Sequence, residues 1–385
     1  MTVTPDTADA TDTPDAADTP HAADTPDLSF LDAPGLTAAF VEETRPRAHG
    51  AGLDPYEYAR VTAALTSLHD WPSACRAAGR RHAEAAGRAE AEGRTVTAGT
   101  GYRAAARWFH FACLLPHPDR AAAARAATEA DEAMRRALAL LEPDARRVEG
   151  EGFAGWLRRP RAAVAGGLPV VLVVPGTDSG KEEFHAVAEA LLARGLAVLA
   201  IDGPGQGVLA AVSTQEPDYH RIVARALDAL DADAGLDLDR VAVIGLSLGG
   251  HHAAKAAAHE PRVRAAALVS GPYRLDWDGL VPFVTATLAQ RCGGLDAARA
   301  FARRIDLTAL APTITTPLLV VEGGQDGIPG VTPATALAEH APDAELLLVP
   351  HGNHLLGTAL ADWLPATADW LATRLAADGT PGDRG

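Results

Sequence analysis

The 385 residues include only three cysteines, Cys75, Cys113 and Cys292, which lie far apart and form no C-x-x-C pair. That spacing supports neither a disulfide framework nor a zinc site, and a reducing compartment is the expected setting. The N-terminus shows no basic stretch followed by an apolar one, and no apolar run approaches the ~18 residues of a membrane span. These absences predict a soluble cytoplasmic protein with no membrane partner. A basic face is also missing: the formal net charge is −16, which argues against a nucleic-acid partner, because phosphates need concentrated Lys and Arg. The Gly-rich turn "IDGPGQG" lacks the G-x-G-x-x-G spacing of a dinucleotide site, and no phosphate-binding Lys follows it. It reads as structural, and neither an organic cofactor nor a metal is expected.

What is present divides the chain. Residues 1–34 hold eight Asp and no Lys, Arg or Glu, so half of the net charge sits there. Their repeat, "TPDAADTPHAADTPD", has too little apolar surface to offset its ordering entropy, and the segment is expected to be disordered, with His21 solvated. Residues 35–145 carry apolar positions at helical spacing and predict a helical N-terminal cap domain. One helix is expected through "TGYRAAARWFHFACLLP", capped by Thr100 and stopped by Pro116, and a second up to Pro143. Trp108, Phe109 and Phe111 read as packing residues first and pocket lining second, as do His110 and His117. Residues 146–373 switch to an antiparallel pair in "RRVEGEGFAGWLRRP", then to buried strands alternating with helices, which predicts a mostly parallel, doubly wound α/β sheet. Residues 272–312 interrupt the alternation as a helical insertion over the carboxyl ends of the strands, and 374–385 form a flexible tail.

In a doubly wound sheet the chemistry gathers at the carboxyl ends of the strands. There "VAVIGLSLGGHHAAK" runs a strand into Gly245-x-Ser247-x-Gly249 and on into a helix. This is the strand-turn-helix context in which a serine hydroxyl is lifted clear of the backbone. A serine is a poor nucleophile without a base, so an acid and a histidine should follow it in that order. "PLLVVEGGQDGIP" offers Asp326, with Glu322 as the alternative acid, and "AELLLVPHGNHLLG" offers His354, with His351 as the alternative base. Acyl transfer also needs donors for a developing oxyanion, and the amides of Leu248 and of Thr177 in "VVPGTDSGKEEFH" are the candidates. His251 and His252 are expected to pack. Asp276 and Trp277, which open the insertion, suit a cap and a core anchor as well as a substrate contact.

With these residues located, "PGTDSGKEEFH", "ARGLAVLAIDGPGQG", "GLSLGGHHAAKAAAHEPRVRAAALVSGPY" and "GYRAAARWFHFACLL" resemble an α/β-hydrolase. The branch is that of 2,6-dihydroxypseudooxynicotine hydrolase, FrsA-like esterases and fungal polyketide-shortening hydrolases. The resemblance implies a nucleophile at Ser247, an acid at Asp326 and a base at His354, and a helical domain that covers the active site. It also points to a homodimer. Thr177 departs from the aliphatic residue common in this turn. The implied substrates are small aromatic or polyketide-like secondary metabolites, cleaved at an ester or at a carbon–carbon bond beside a ketone. Two other readings stand beside a serine hydrolase: a lyase on the same fold that eliminates a carboxylate, and a non-catalytic binding protein.

Overall fold

The computed structural model describes residues 26–161 and 167–376. Five helices come first: α1 (Leu36–Gly50), α2 (Pro55–Thr62), α3 (Trp71–Ala91), α4 (Thr95–Phe111) and α5 (Arg120–Leu141). An antiparallel pair follows, β1 (Arg146–Gly150) and β2 (Phe153–Arg158), and then β3 (Leu168–Val174), α6 (His185–Leu192), β4 (Ala197–Asp202), α7 (His220–Asp228) and β5 (Leu236–Leu246). The chain continues through α8 (Leu248–His259), β6 (Val263–Val269), β7 (Pro272–Leu275), α9 (Pro282–Cys292), α10 (Leu295–Ala302) and β8 (Leu318–Gly323). It ends with β9 (Val331–Pro333), α11 (Thr335–His340), β10 (Ala344–Val349) and α12 (Leu360–Arg374).

Eight strands form one sheet in the order β1-β2-β4-β3-β5-β6-β8-β10. From β4 to β10 every pairing is parallel, while β1 and β2 join antiparallel at one edge. The β3 run "LPVVLVV" explains its central place. Val170, Leu172 and Val174 face one apolar layer, Val171 and Val173 the other, and all five are buried. A strand covered on both faces has no polar side to alternate with. On one face α8 fits close because its inward residues, Ala253, Ala254, Ala256 and Ala257, are small.

Four expectations are corrected. The folded chain starts before residue 35: Ser29–Asp32 form a 3-10 turn, Leu31 is buried, and Leu28 and Phe30 pack on the same cluster. These are the first apolar residues after the repeat, and residues 1–25 of the expected disordered segment lie outside the described residues. At the other end Leu375 is still buried, and the expected tail from 377 onward is likewise outside them. The α4 helix begins at Thr95 rather than at Thr100, because Ala98 and Gly99 are buried and Gly99 lies against Leu141 of α5. Finally, the 272–312 insertion is not all helical: β7 pairs antiparallel with β9 as a separate two-stranded sheet.

The cap helices and the sheet meet through buried charge. Lys181 Nζ lies 2.7 Å from Asp202, 2.8 Å from Glu182 and 2.9 Å from Asp131 of α5. Arg147 pairs with Asp131 as well. Burial pushes the Glu182 carboxyl up, with Asp202 and Asp131 adding to the effect, whereas Lys181 and Arg147 overcome burial and hold Asp131 down. Lys181 and Arg147 thus share this site with the carboxyls of Asp131, Asp202 and Glu182. Removing Lys181 from such a site would cost about 3–5 kcal/mol, since its carboxylates cannot regain water.

Candidate active site

Ser247 stands between β5 and α8 with φ 55° and ψ −128°. That conformation costs about 1–3 kcal/mol and persists only where the surroundings over-determine it. Here they do. The Ser247 amide donates to Val269 O at 2.8 Å, and the Gly250 amide to Ser247 O at 2.7 Å. A Cβ on Gly245 would overlap the Gly249 carbonyl, and one on Gly249 would overlap the Val174 carbonyl. The two glycines of the motif therefore permit the close crossing of helix over strands that presents the hydroxyl.

His354 follows β10 in a short 3-10 segment whose next two residues, Leu355 and Leu356, have φ of 63° and 49°. The Ser270 hydroxyl accepts from the Leu355 amide at 2.9 Å and ties this loop to the end of β6. His354 Nε2 lies 3.1 Å from Ser247 Oγ, and Nδ1 lies 2.9 Å from Asp326 Oδ2. An Nδ1–H that donates to the carboxylate leaves Nε2 free to accept the serine proton, so one tautomer satisfies both contacts. The three residues that sequence order singled out are thus in one hydrogen-bonded line.

The alternatives fall elsewhere. His351 bonds Asp362 at 3.2 Å and its side chain is 60% exposed. Glu322, buried on β8, accepts from the Ala334 amide at 3.1 Å and has no hydrogen bond to His354. His251 and His252 are fully buried: His251 Nδ1 approaches Pro272 O at 3.3 Å, and the His252 ring stacks on Tyr219 at 4.3 Å. Trp108 and Phe111 belong to one core of the cap and Phe109 to another, so all three pack. His110 bonds Glu183 at 2.8 Å, and His117 Nδ1 accepts from the Asp119 amide. Asp276 is held through its amide by Gly330 O, and Trp277 packs beside Leu248 and Leu280 in the cluster that joins the insertion to the Ser247 turn.

The loop after β3 passes directly over Ser247, because a Cβ on Gly176 would come within 2.9 Å of the Ser247 Cβ. The amides of Thr177 and Leu248 make no hydrogen bond to a protein acceptor among the described residues. Gln206, from the turn read as merely structural, fixes this loop. Its Nε2 donates to Pro175 O at 2.8 Å and to Gly176 O at 3.0 Å, while its Oε1 accepts from Gly203 N and from the Tyr219 hydroxyl. In a trans peptide the carbonyl and the next N–H point in opposite directions. Holding Gly176 O therefore turns the Thr177 N–H away from Gln206. The loop is also clamped from the cap: Arg47 of α1 bonds Asp178 at 2.8 Å, Ser179 at 3.0 Å and Glu183 at 2.5 and 2.8 Å. Despite its burial, Glu183 is held well below the usual carboxylate range by Arg47 and His110. No local pattern reveals the Arg47 partners, which lie 131 to 136 residues away.

Two kinds of buried group set opposite pH trends in stability. The Glu322 carboxyl is pushed up to about 8 by burial and by Asp326. Its contribution is full below the unfolded value and is lost as pH climbs toward 8, by about 1.4 kcal/mol per unit. His251 is pushed down to about 3 by burial and Lys255, and burial and His251 push His252 well down. Both stay neutral while the unfolded chain takes up protons below about pH 6.5, so they lose stability as pH falls below that point. Stability to denaturant is expected to crest near pH ~6.5, and Glu322→Gln should flatten the decline above it. A decline left unchanged in Glu322→Gln would contradict this assignment.

Among the described residues no helix is long and apolar enough to cross a membrane. A sequence profile described as the α/β-hydrolase fold matches residues 169–310. The chain is 31% identical over 250 residues to 2,6-dihydropseudooxynicotine hydrolase of Paenarthrobacter nicotinovorans, covering 60% of this chain and 67% of that one. It is 39% identical over 128 residues to 20-hydroxy-prefusarin hydrolase of Gibberella moniliformis, covering 31% of this chain and only 30% of the fungal protein. The crystal structure of 2,6-dihydroxy-pseudo-oxynicotine hydrolase superposes with a TM-score of 0.76 at 25% identity, over 86% of this chain and 95% of that one. That superposition reaches beyond the sheet into the helical N-terminal region. The fold, the hydrolase relatives and the cap all agree: this chain is an enzyme of the α/β-hydrolase family.

Proposed function

We propose that the enzyme is a serine hydrolase that cleaves an ester, or a carbon–carbon bond beside a ketone, in a small aromatic or polyketide-like metabolite. The observation that carries this reading is the line Ser247 Oγ–His354–Asp326, with separations of 3.1 and 2.9 Å. His354 takes the hydroxyl proton as Ser247 Oγ bonds to the substrate carbonyl carbon, and Asp326 orients the ring and stabilises the imidazolium. The amides of Leu248 and Thr177 hold the oxyanion. As the tetrahedral species collapses, the bond to the leaving group breaks. Its electron pair goes to an alkoxide oxygen or an enolate carbon, and the imidazolium supplies the proton. Water, deprotonated by His354, then releases the acyl group as a carboxylate. The side chains and water suffice for each step.

The substrate class is supported by the names of the relatives, a pseudooxynicotine hydrolase and a prefusarin hydrolase. A homodimer and a cytoplasmic location are part of the same proposal. Turnover in water enriched in oxygen-18 tests the reading. Hydrolysis predicts one heavy oxygen in the carboxylate product. A product that instead carries a new double bond, with no label in the released carboxylate, would show elimination and overturn the reading.

A further inference from the structure

A cavity of about 180 Å³ lies between the cap helices α4 and α5, the loops after β3 and β4, and α9. The engineered cavity of ~150 Å³ that binds benzene sets the scale: one ring fits. Its floor is the chain just after Thr177, namely Asp178 and Ser179, together with Glu182 and Gly207. Alanines of α5 form an apolar wall, and Gln290 and Arg291 of α9 close the far side.

Arg291 is the unusual member of this lining. Its guanidinium makes two long bonds to neutral backbone carbonyls, 3.4 Å to Gly205 O and 3.2 Å to Cys113 O, and its buried Nε has no partner. No carboxylate stands within ion-pair distance of it among the described residues, and burial pushes its guanidinium down. Beside it, Gln215 donates its amide to Arg291 O at 2.9 Å, and both polar atoms of its side chain are buried without a partner. The acidic groups of the lining are already accounted for. Asp178 is held by two nitrogens of Arg47, and Glu182 lies 2.8 Å from Lys181 Nζ.

We infer that this cavity binds a single-ring organic anion, with Arg291 receiving its carboxylate or enolate and the alanine wall of α5 receiving the ring. A planar oxyanion group would give the guanidinium the two-pronged, charge-assisted partner that it lacks. The inference deepens the proposed hydrolase reading by naming its substrate class, a metabolite with an acidic ring, and rests on that reading to this extent.

Titration calorimetry on the full chain tests it, with 4-hydroxybenzoate as the anionic probe and its methyl ester as the neutral one. Wild type should bind the carboxylate at least about tenfold more tightly than the ester, and Arg291→Met should abolish that preference. Arg291→Lys, which keeps the charge but not the fork, should retain only part of it. Ala211→Phe, on the exposed rim of the cavity, should weaken both probes and serves if Arg291→Met does not fold. A preference unchanged in Arg291→Met, binding undisturbed by Ala211→Phe, or no saturable binding of the carboxylate to wild type up to about 10 mM would overturn the inference. Fluorophosphonate labelling of wild-type Ser247 reports separately. Labelling without Arg291-dependent binding removes only the anion site, and Arg291-dependent binding without labelling removes only the serine mechanism.

Discussion

Ser247→Ala is expected to lower kcat by a factor on the order of 10⁶ and to leave KM within about twofold. The size follows from what the hydroxyl does. In the proposed mechanism it forms the covalent bond on which both half-reactions depend, and among the described residues no other hydroxyl is hydrogen-bonded to His354 Nε2. The small effect on KM follows from geometry: Ser247 is a small side chain at the end of β5, and the walls that would hold the substrate belong to other elements. A residual rate above that of water should survive, since the Leu248 and Thr177 amides remain in place. Fold loss is not the expected cause, because alanine keeps the Ser247 amide bond to Val269 O and carries the same Cβ into the strained conformation. Thermal unfolding of the variant should therefore match wild type, and a matched stability with normal turnover would remove Ser247 from the mechanism.

Asp326→Asn is expected to cost about 10⁴-fold in kcat. The carboxylate accepts the Nδ1–H of His354 at 2.9 Å, whereas an amide nitrogen in the same place favours the tautomer that protonates Nε2. Nε2 would then donate toward Ser247 rather than accept from it. Glu322 provides the contrast. It sits at the end of the same strand, but its carboxyl is engaged by the Ala334 amide and has no bond to His354. Glu322→Gln should leave kcat within about fivefold at neutral pH, since only a protonated, uncharged group is replaced. If the two variants reversed these effects, Glu322 would be the acid. The comparison is cleanest in kcat, where loss of substrate binding does not enter.

The parts of the molecule that could be read from the chain are those whose cause is local. Buried strands such as β3 and β5 declare themselves as apolar runs ended by glycine, and the G-x-S-x-G turn reports its own geometry because each glycine is required by a backbone crossing. The order serine, acid, histidine follows from where the loops of a parallel sheet emerge. Sequence position alone does not separate His354 from His351, since both lie in the loop after β10. It is the unusual backbone at Leu355 and Leu356, held by Ser270, that aims one ring inward and leaves the other on the surface.

What the chain conceals is nonlocal. Arg47 is 131 residues from Asp178, and Lys181 is brought to Asp131 only when α5 packs on the sheet. Arginines and carboxylates are common on helix faces, and nothing in their spacing separates a buried clamp from a solvated pair. Gln206 is hidden differently: its turn carries enough glycine to explain itself as a bend, and nothing in the sequence marks the side chain that pins the Gly176 carbonyl. The β7–β9 pair is not legible in the chain because a three-residue strand that includes a proline carries no periodicity.

The central claim is that Ser247 is an activated nucleophile whose reactivity depends on His354. Intact-mass measurement after treatment with a small fluorophosphonate tests it most directly. Wild type is predicted to gain one adduct, Ser247→Ala none, and His354→Ala none on the same timescale. An adduct that persists in Ser247→Ala, or that forms at an undiminished rate in His354→Ala, would contradict the account.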